Sequence, residues 1–145
     1  MLARLARVVP ALRLVPGLPS LFDAVLLAHT ALFHPKRLKA LHEVEQIVLS
    51  WPGVTTKLHR FGGTEFRLGN REIGHLHGNG LLDIPYSKVL RHQMVQSGNA
   101  QPHHLFPRSN WISFYIISPT DVPNATTLLR LNYERWLAVD TPNML

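Results

Sequence analysis

Gly69-Asn70 stands between two short runs in which apolar and polar residues alternate, Thr64 to Leu68 and Arg71 to Leu76. A Gly-Asn pair takes the positive φ that a two-residue hairpin turn demands, so the stretch predicts two antiparallel strands. The turn also sets a register: Leu68 opposite Arg71, Arg67 opposite Glu72, Phe66 opposite Ile73 and Thr64 opposite His75. In that register one face carries Phe66, Ile73, His75 and His77. The other carries Glu65, Arg67 and Glu72, a solvated face with Arg67 and Glu72 as a cross-strand pair. Both histidines leave the hairpin at Gly78-Asn79-Gly80, a loop that leads to Asp83 and Pro85.

The remaining chain reads as the scaffold of this hairpin. Ser20, with Asp23 three residues on, resembles a capping box that opens an apolar, buried helix over 21–34, which Pro35 ends. A second helix over 36–50 puts Leu38, Leu41, Val44, Ile47, Val48 and Trp51 at helical spacing. The period then changes to two over Val54 to Leu58, which adds a strand before the hairpin. A helix over 85–97 buries Tyr86, Val89, Leu90 and Met94, and a loop over 101–110 carries His103 and His104. Trp111 to Ser118 is rich in aromatic and β-branched residues, as suits a central strand, and Asp121 caps a last helix that runs to about Val139. The order ααβββαβα predicts one α+β domain: a three-strand meander and a Trp-led central strand, covered by helices.

At 145 residues, 46% of them hydrophobic, the chain suits one soluble domain with a real core. It has no cysteine, which removes disulfides, thiolate metal sites and thiol nucleophiles and leaves His, Asp and Glu as the strong ligands. That usage is compatible with a cytoplasmic location. Residues 1–60 hold eight Lys or Arg against three Asp or Glu, so most of the net charge of +6 lies there. Arg4, Arg7, Arg13, Lys36, Arg37 and Lys39 form a basic patch by sequence, suited to weak, nonspecific contact with nucleic acid or an anionic surface. Residues 1–18 read as a basic, apolar leader or peripheral membrane anchor ahead of a domain over 19–145. Three prolines interrupt any signal-peptide core, and the apolar run from Leu21 to Phe33 is too short to span a bilayer.

Two imidazoles at i and i+2 on one strand, His75 and His77, point the same way and share a metal if a carboxylate and another histidine approach. Asp83, His103 and His104 are the candidates for that approach. The same residues also suit a metal-free acid/base site for a small molecule, with Asp83 or Glu72 orienting an imidazole that titrates near neutrality. They equally suit a hydrogen-bonded cluster that stitches two loops together. The candidates for catalysis are therefore His75, His77, Asp83 and His103, and those for metal binding are His75, His77, His103 and His104. Arg71, Glu72, Tyr86 and Trp111 are expected around them as motif or pocket wall. No phosphate-binding loop, GxGxxG turn or nucleophile elbow is present.

From Trp51 to Trp136 the chain resembles a bacterial and fungal family of luciferase-domain proteins. The resemblance rests on GGTEFRLGNREIGHLHGNGLLDIPY, on the Pro102-His103-His104 triplet, on WISFYI and on LLRLNYERW. It supplies no substrate or cofactor. The second half also resembles the MmcQ/YjbR-like proteins, in which a helix, a histidine-bearing loop, a Trp-led strand and a terminal helix follow one another. That likeness implies a CyaY-like α+β fold and a role with nucleic acid.

Overall fold

The computed structural model describes residues 17–140. Arg4, Arg7 and Arg13, with nearly all of the expected leader, lie outside the described residues. The described chain is one α+β domain. Helices α1 (Leu18–Phe33) and α2 (Pro35–Leu49) precede strands β1 (Val54–Leu58), β2 (Thr64–Leu68), β3 (Arg71–Leu76) and β4 (Leu81–Pro85). Helix α3 (Lys88–Gln96), strands β5 (Gln101–Pro102) and β6 (Trp111–Tyr115), and a 3-10 turn leading into α4 (Val122–Asp140) complete it. The order is the expected one with two strands added. β4 lies where the sequence predicts a loop, because Asp83 and Pro85 obscure a five-residue strand, and β5 is only two residues long. The strands form one antiparallel sheet in the order β1-β2-β3-β4-β6-β5.

Helices α2 and α4 cover one face of this sheet. Ala40, Leu41, Val44 and Val48 from α2 meet Ala125, Leu128, Leu129 and Tyr133 from α4 over Phe66, Ile73, Leu82, Ile84 and Ile112. Tyr86 belongs to this core, and its hydroxyl donates to the Leu128 carbonyl at 2.8 Å. Trp111 is half-buried, not enclosed as a core residue at the start of the strand would be.

The hairpin register departs from expectation after two pairs. Leu68 faces Arg71 and Arg67 faces Glu72, but a bulge then sets Phe66 opposite Gly74, Glu65 opposite His75 and Thr64 opposite Leu76. One extra residue on β3 reverses every assignment beyond it. Ile73 and Gly74 both face the helices, whereas Glu72 and His75 share the opposite face. His75 is therefore not on the side of Phe66, and Glu65 is buried instead of solvated. Helix α4 holds the bulge by supplying donors to the carbonyls it frees. Asn132, fully buried, donates to the Ile73 carbonyl at 2.8 Å, and the Trp136 indole donates to the Glu72 carbonyl at 2.9 Å.

Two helices bury less than their sequences suggest. α1 encloses only Asp23 and Thr30, and α3 encloses nothing fully, with Val89 exposed. The start of α1 also differs. Gly17 takes the N-cap position with Pro19 in the first turn, and no side chain caps it, so Ser20 and Asp23 do not form a capping box. Asp23 is drawn inward instead. Before α4, Ser118 and Asp121 form a capping box on the 3-10 turn, which places Asp121 inside the turn and not at its cap.

Candidate functional site

The face opposite α2 and α4 carries a polar row that crosses five strands. Lys57 pairs with Glu65, Glu65 with His75, His75 with Asp83 and Asp83 with Ser113, each on the neighbouring strand. Because strand side chains alternate and paired residues share a face, the register alone brings a histidine, an aspartate and a serine side by side. His75, Asp83 and Ser113 are all buried there.

Asp83 is the centre of the arrangement. Its Oδ2 lies 3.6 Å from His75 Nε2, 3.6 Å from His103 Nε2 and 4.0 Å from His77 Nε2. Its Oδ1 accepts from the Ser113 hydroxyl and lies 3.5 Å from His104 Nδ1. The structure thus brings together all four catalytic candidates, and His104 as well. His77 reaches the group just beyond the end of β3, on the tight turn closed by Gly80 N donating to the His77 carbonyl at 2.9 Å. His103 and His104 arrive from the loop that returns to β6, with the His104 amide donating to Ser113 Oγ at 3.1 Å.

The far nitrogens of the rings decide what each histidine can do. His75 Nδ1 meets Glu72 Oε1 at 2.6 Å, and His77 Nδ1 meets Asp23 Oδ1 at 3.1 Å. His103 Nδ1 instead accepts from the amides of Leu105 and Phe106 at 3.2 and 3.1 Å, which puts the ring proton on Nε2, facing Asp83. His59 behaves likewise: its Nδ1 accepts from the Phe61 amide, leaving the Nε2 proton toward Glu72 at 4.0 Å. The His59 ring stacks on His75 with centroids 3.7 Å apart, and Trp111 stands 5.5 Å from His75 and 6.0 Å from His103 as a wall.

Burial alone would lower the pKa of His75, but the neighbouring Asp83 and Glu72 carboxylates outweigh it and push the value up to about 9. For His59 burial is the largest influence, the stacked His75 adds to it, and the value falls to about 4. Burial also lowers His103, only partly opposed by Asp83, in keeping with a neutral ring. Burial would raise Asp83, yet the His104 and His75 rings beside it and the hydrogen bond from Ser113 hold it well below the usual carboxylate range.

Among the described residues, three sets of ligand-type atoms lie close enough to hold one ion: His59, Glu72 and His75; His75, His77 and Asp83; and Asp83, His103 and His104. A ligating imidazole needs an unprotonated nitrogen facing the ion, and its other N–H is typically held by a carboxylate or carbonyl. His59 and His103 fail that test through Nε2, because backbone amides already occupy their Nδ1 lone pairs. His75 and His77 have the matching geometry, each with a carboxylate on Nδ1 and Nε2 directed at Asp83 Oδ2, and His75 must give up its Nε2 proton for an ion to bind.

Several residues of this site were not singled out by sequence reasoning. The sequence predicts Asp23 as a capping residue, although as the one charged side chain in α1 it carries a signal. It also accepts from the Gly78 amide at 3.0 Å, and Gly78 lies so close to α1 that a Cβ there would stand 2.6 Å from the Leu27 nitrogen. Glu65 and Ser113 carry no spacing signal, because their places follow from cross-strand register, and neither does His59, which follows the end of β1. Arg71 and Tyr86 are not part of the cluster. Arg71 reaches the Trp136 carbonyl at 3.3 Å on α4, and Tyr86 is in the core. Lys36 and Lys39 are exposed on α2, and Arg37 beside them packs against Gly80.

Neither the curated proteins nor the solved structures gave a match, and the likeness to MmcQ/YjbR-like proteins finds no support in the comparisons. Residues 70–132 match the family model described as the Luciferase domain, a span that contains β3, the Gly78 loop, Asp83, both histidines of the return loop and Ser113. This stretch of the chain is therefore similar to the luciferase-domain family.

Proposed function

We propose that the domain is a divalent transition-metal protein whose ligands are His75 Nε2, His77 Nε2 and Asp83 Oδ2. The observation that carries this reading is the paired arrangement behind the two rings: Glu72 on His75 Nδ1 and Asp23 on His77 Nδ1, with both Nε2 atoms turned to one carboxylate oxygen. The separations of 3.6 and 4.0 Å are too long for good hydrogen bonds. They lie near the roughly 3.3 Å expected between ligand atoms around a tetrahedral ion with bonds of about 2.0–2.1 Å. Two imidazoles and one carboxylate suit Zn²⁺ or Fe²⁺ and leave coordination positions for water or a small molecule, which such an ion would polarise or activate.

The chain's own residues would do the rest. Ser113 and His104 hold Asp83 Oδ1, so that Oδ2 keeps its direction, and neutral His103 presents an Nε2 proton at the edge of the same oxygen. Trp111 and the stacked His59 exclude water from two sides. His77 also borders a cleft of about 80 Å³ between α1 and α2, lined by Asp23, Leu27, Leu38, Leu41, His42 and Glu45 among others. The test is titration calorimetry of the chelator-stripped protein with Zn²⁺ and, without oxygen, Fe²⁺. One ion per chain should bind, His77→Ala and Asp83→Asn should each abolish it, and Asp23→Asn should weaken it about 10–100-fold. Binding that survives His77→Ala and Asp83→Asn would refute the site.

A further inference from the structure

Helix α1 is amphipathic in the opposite sense to a helix that packs on a core. It encloses its one charged side chain, Asp23, and Thr30, and it leaves Leu21, Phe22, Val25, Leu27, Leu32 and Phe33 in solvent. Leu32 is 75% exposed and Leu21 61%, values that leave little of either side chain against the protein. Leu21, Val25 and Leu32 fall at i, i+4 and i+11, one line along the helix, and Phe22 and Phe33 run beside it. A continuous apolar face of this kind marks a surface that something else covers.

The charges around α1 indicate what that is. Lys36 and Lys39 stand exposed at the start of α2, directly beyond the C-terminal end of α1, and Arg4, Arg7 and Arg13 precede it in sequence. Two copies paired through this face with their α1 helices parallel would set the exposed Lys36 and Lys39 of one against those of the other. Anionic headgroups would neutralise these lysines, while the acyl boundary takes the apolar side chains. At 16 residues α1 is about 24 Å long, less than a hydrocarbon core of about 30 Å. Among the described residues no helix is long and apolar enough to cross a membrane. The geometry is that of a helix lying in the interface plane, and we infer that α1 docks the protein on an anionic membrane surface.

Flotation of the whole chain with phosphatidylcholine vesicles, with and without phosphatidylserine and with chelator throughout, tests this apart from any metal. The protein should float with the phosphatidylserine vesicles, lose binding as salt rises, and remain a monomer by light scattering in their absence. Val25→Glu and Leu32→Glu, both at exposed positions, should leave the melting curve unchanged and weaken flotation about tenfold or more, and Lys36→Glu with Lys39→Glu should weaken it comparably. Failure to float, equal binding to both vesicle types, flotation unaffected by the α1 variants, or a dimer that the α1 variants dissociate would each overturn the inference.

Discussion

His75 has a carboxylate at each ring nitrogen and His59 stacked on its face, so the two rings answer protons in opposite ways. In the metal-free protein His75 holds its proton up to about pH 9, above the unfolded value, so its contribution is complete below about pH 6.5 and is lost as pH rises to 9. His59 titrates near 4, below the unfolded value, so its contribution is complete above about pH 6.5 and is lost as pH falls through 4. Stability should therefore be greatest near pH 6.5. The alkaline limb should amount to on the order of 2–3 kcal/mol. Urea unfolding in chelator from pH 4 to 10 measures both limbs. His75→Gln should flatten the alkaline limb, and a limb that persists in that variant would show that another group causes it. At this scale the sequence showed which side chains carry the chemistry, but not their partners. Glu72 was legible as an orienting carboxylate; Asp23 was not, because a lone acid in an apolar helix reads first as a cap.

The bulge in β3 is the element on which the site depends. Without it Glu72 and His75 would face opposite sides of the sheet, as strict alternation predicts, and His75 would lose the partner on its Nδ1. The strands themselves were legible from alternation and from the Gly-Asn turn. The bulge was not, because Ile73 and Gly74 both fit a regular strand and the donors that stabilise the distortion come from α4, some 60 residues away, at Asn132 and Trp136. Asn132→Ala should consequently cost ~1–3 kcal/mol by leaving the buried Ile73 carbonyl without its donor. It should also release Glu72 from His75, so that the histidine's NMR-measured pKa falls from about 9 toward its ordinary value. An Asn132→Ala protein that is destabilised but keeps a high His75 pKa would show that the bulge does not need α4.

Across the whole molecule the cluster joins parts of the chain that are distant in sequence: Asp23 from α1, Glu72 and His75 from β3, Asp83 from β4, His103 and His104 from the return loop, and Ser113 from β6. Sequence reasoning placed His75, His77, Asp83 and His103 together because the glycine turn folds the chain back beside its own strand. It could not place α1 over them, since the apolar residues of that helix argued for burial and instead face outward. An ion held by His75, His77 and Asp83 would tie β3, the turn and β4 together, and through Asp23 would also fasten α1. Binding that favours the folded state raises its stability by mass action, about 2.7 kcal/mol at free metal one hundred times Kd. Zn²⁺ should accordingly raise the unfolding temperature, chelator should reverse the shift, and amide exchange should slow in α1 as well as in β3 and β4. Asp23→Asn separates the two levels of this coupling: the strands should still be protected on metal addition, while the added protection of α1 is lost. If the histidines and carboxylates form only a hydrogen-bonded network, metal will leave the unfolding temperature unchanged in the native sequence, and Asp83→Asn will lower it equally with and without the ion.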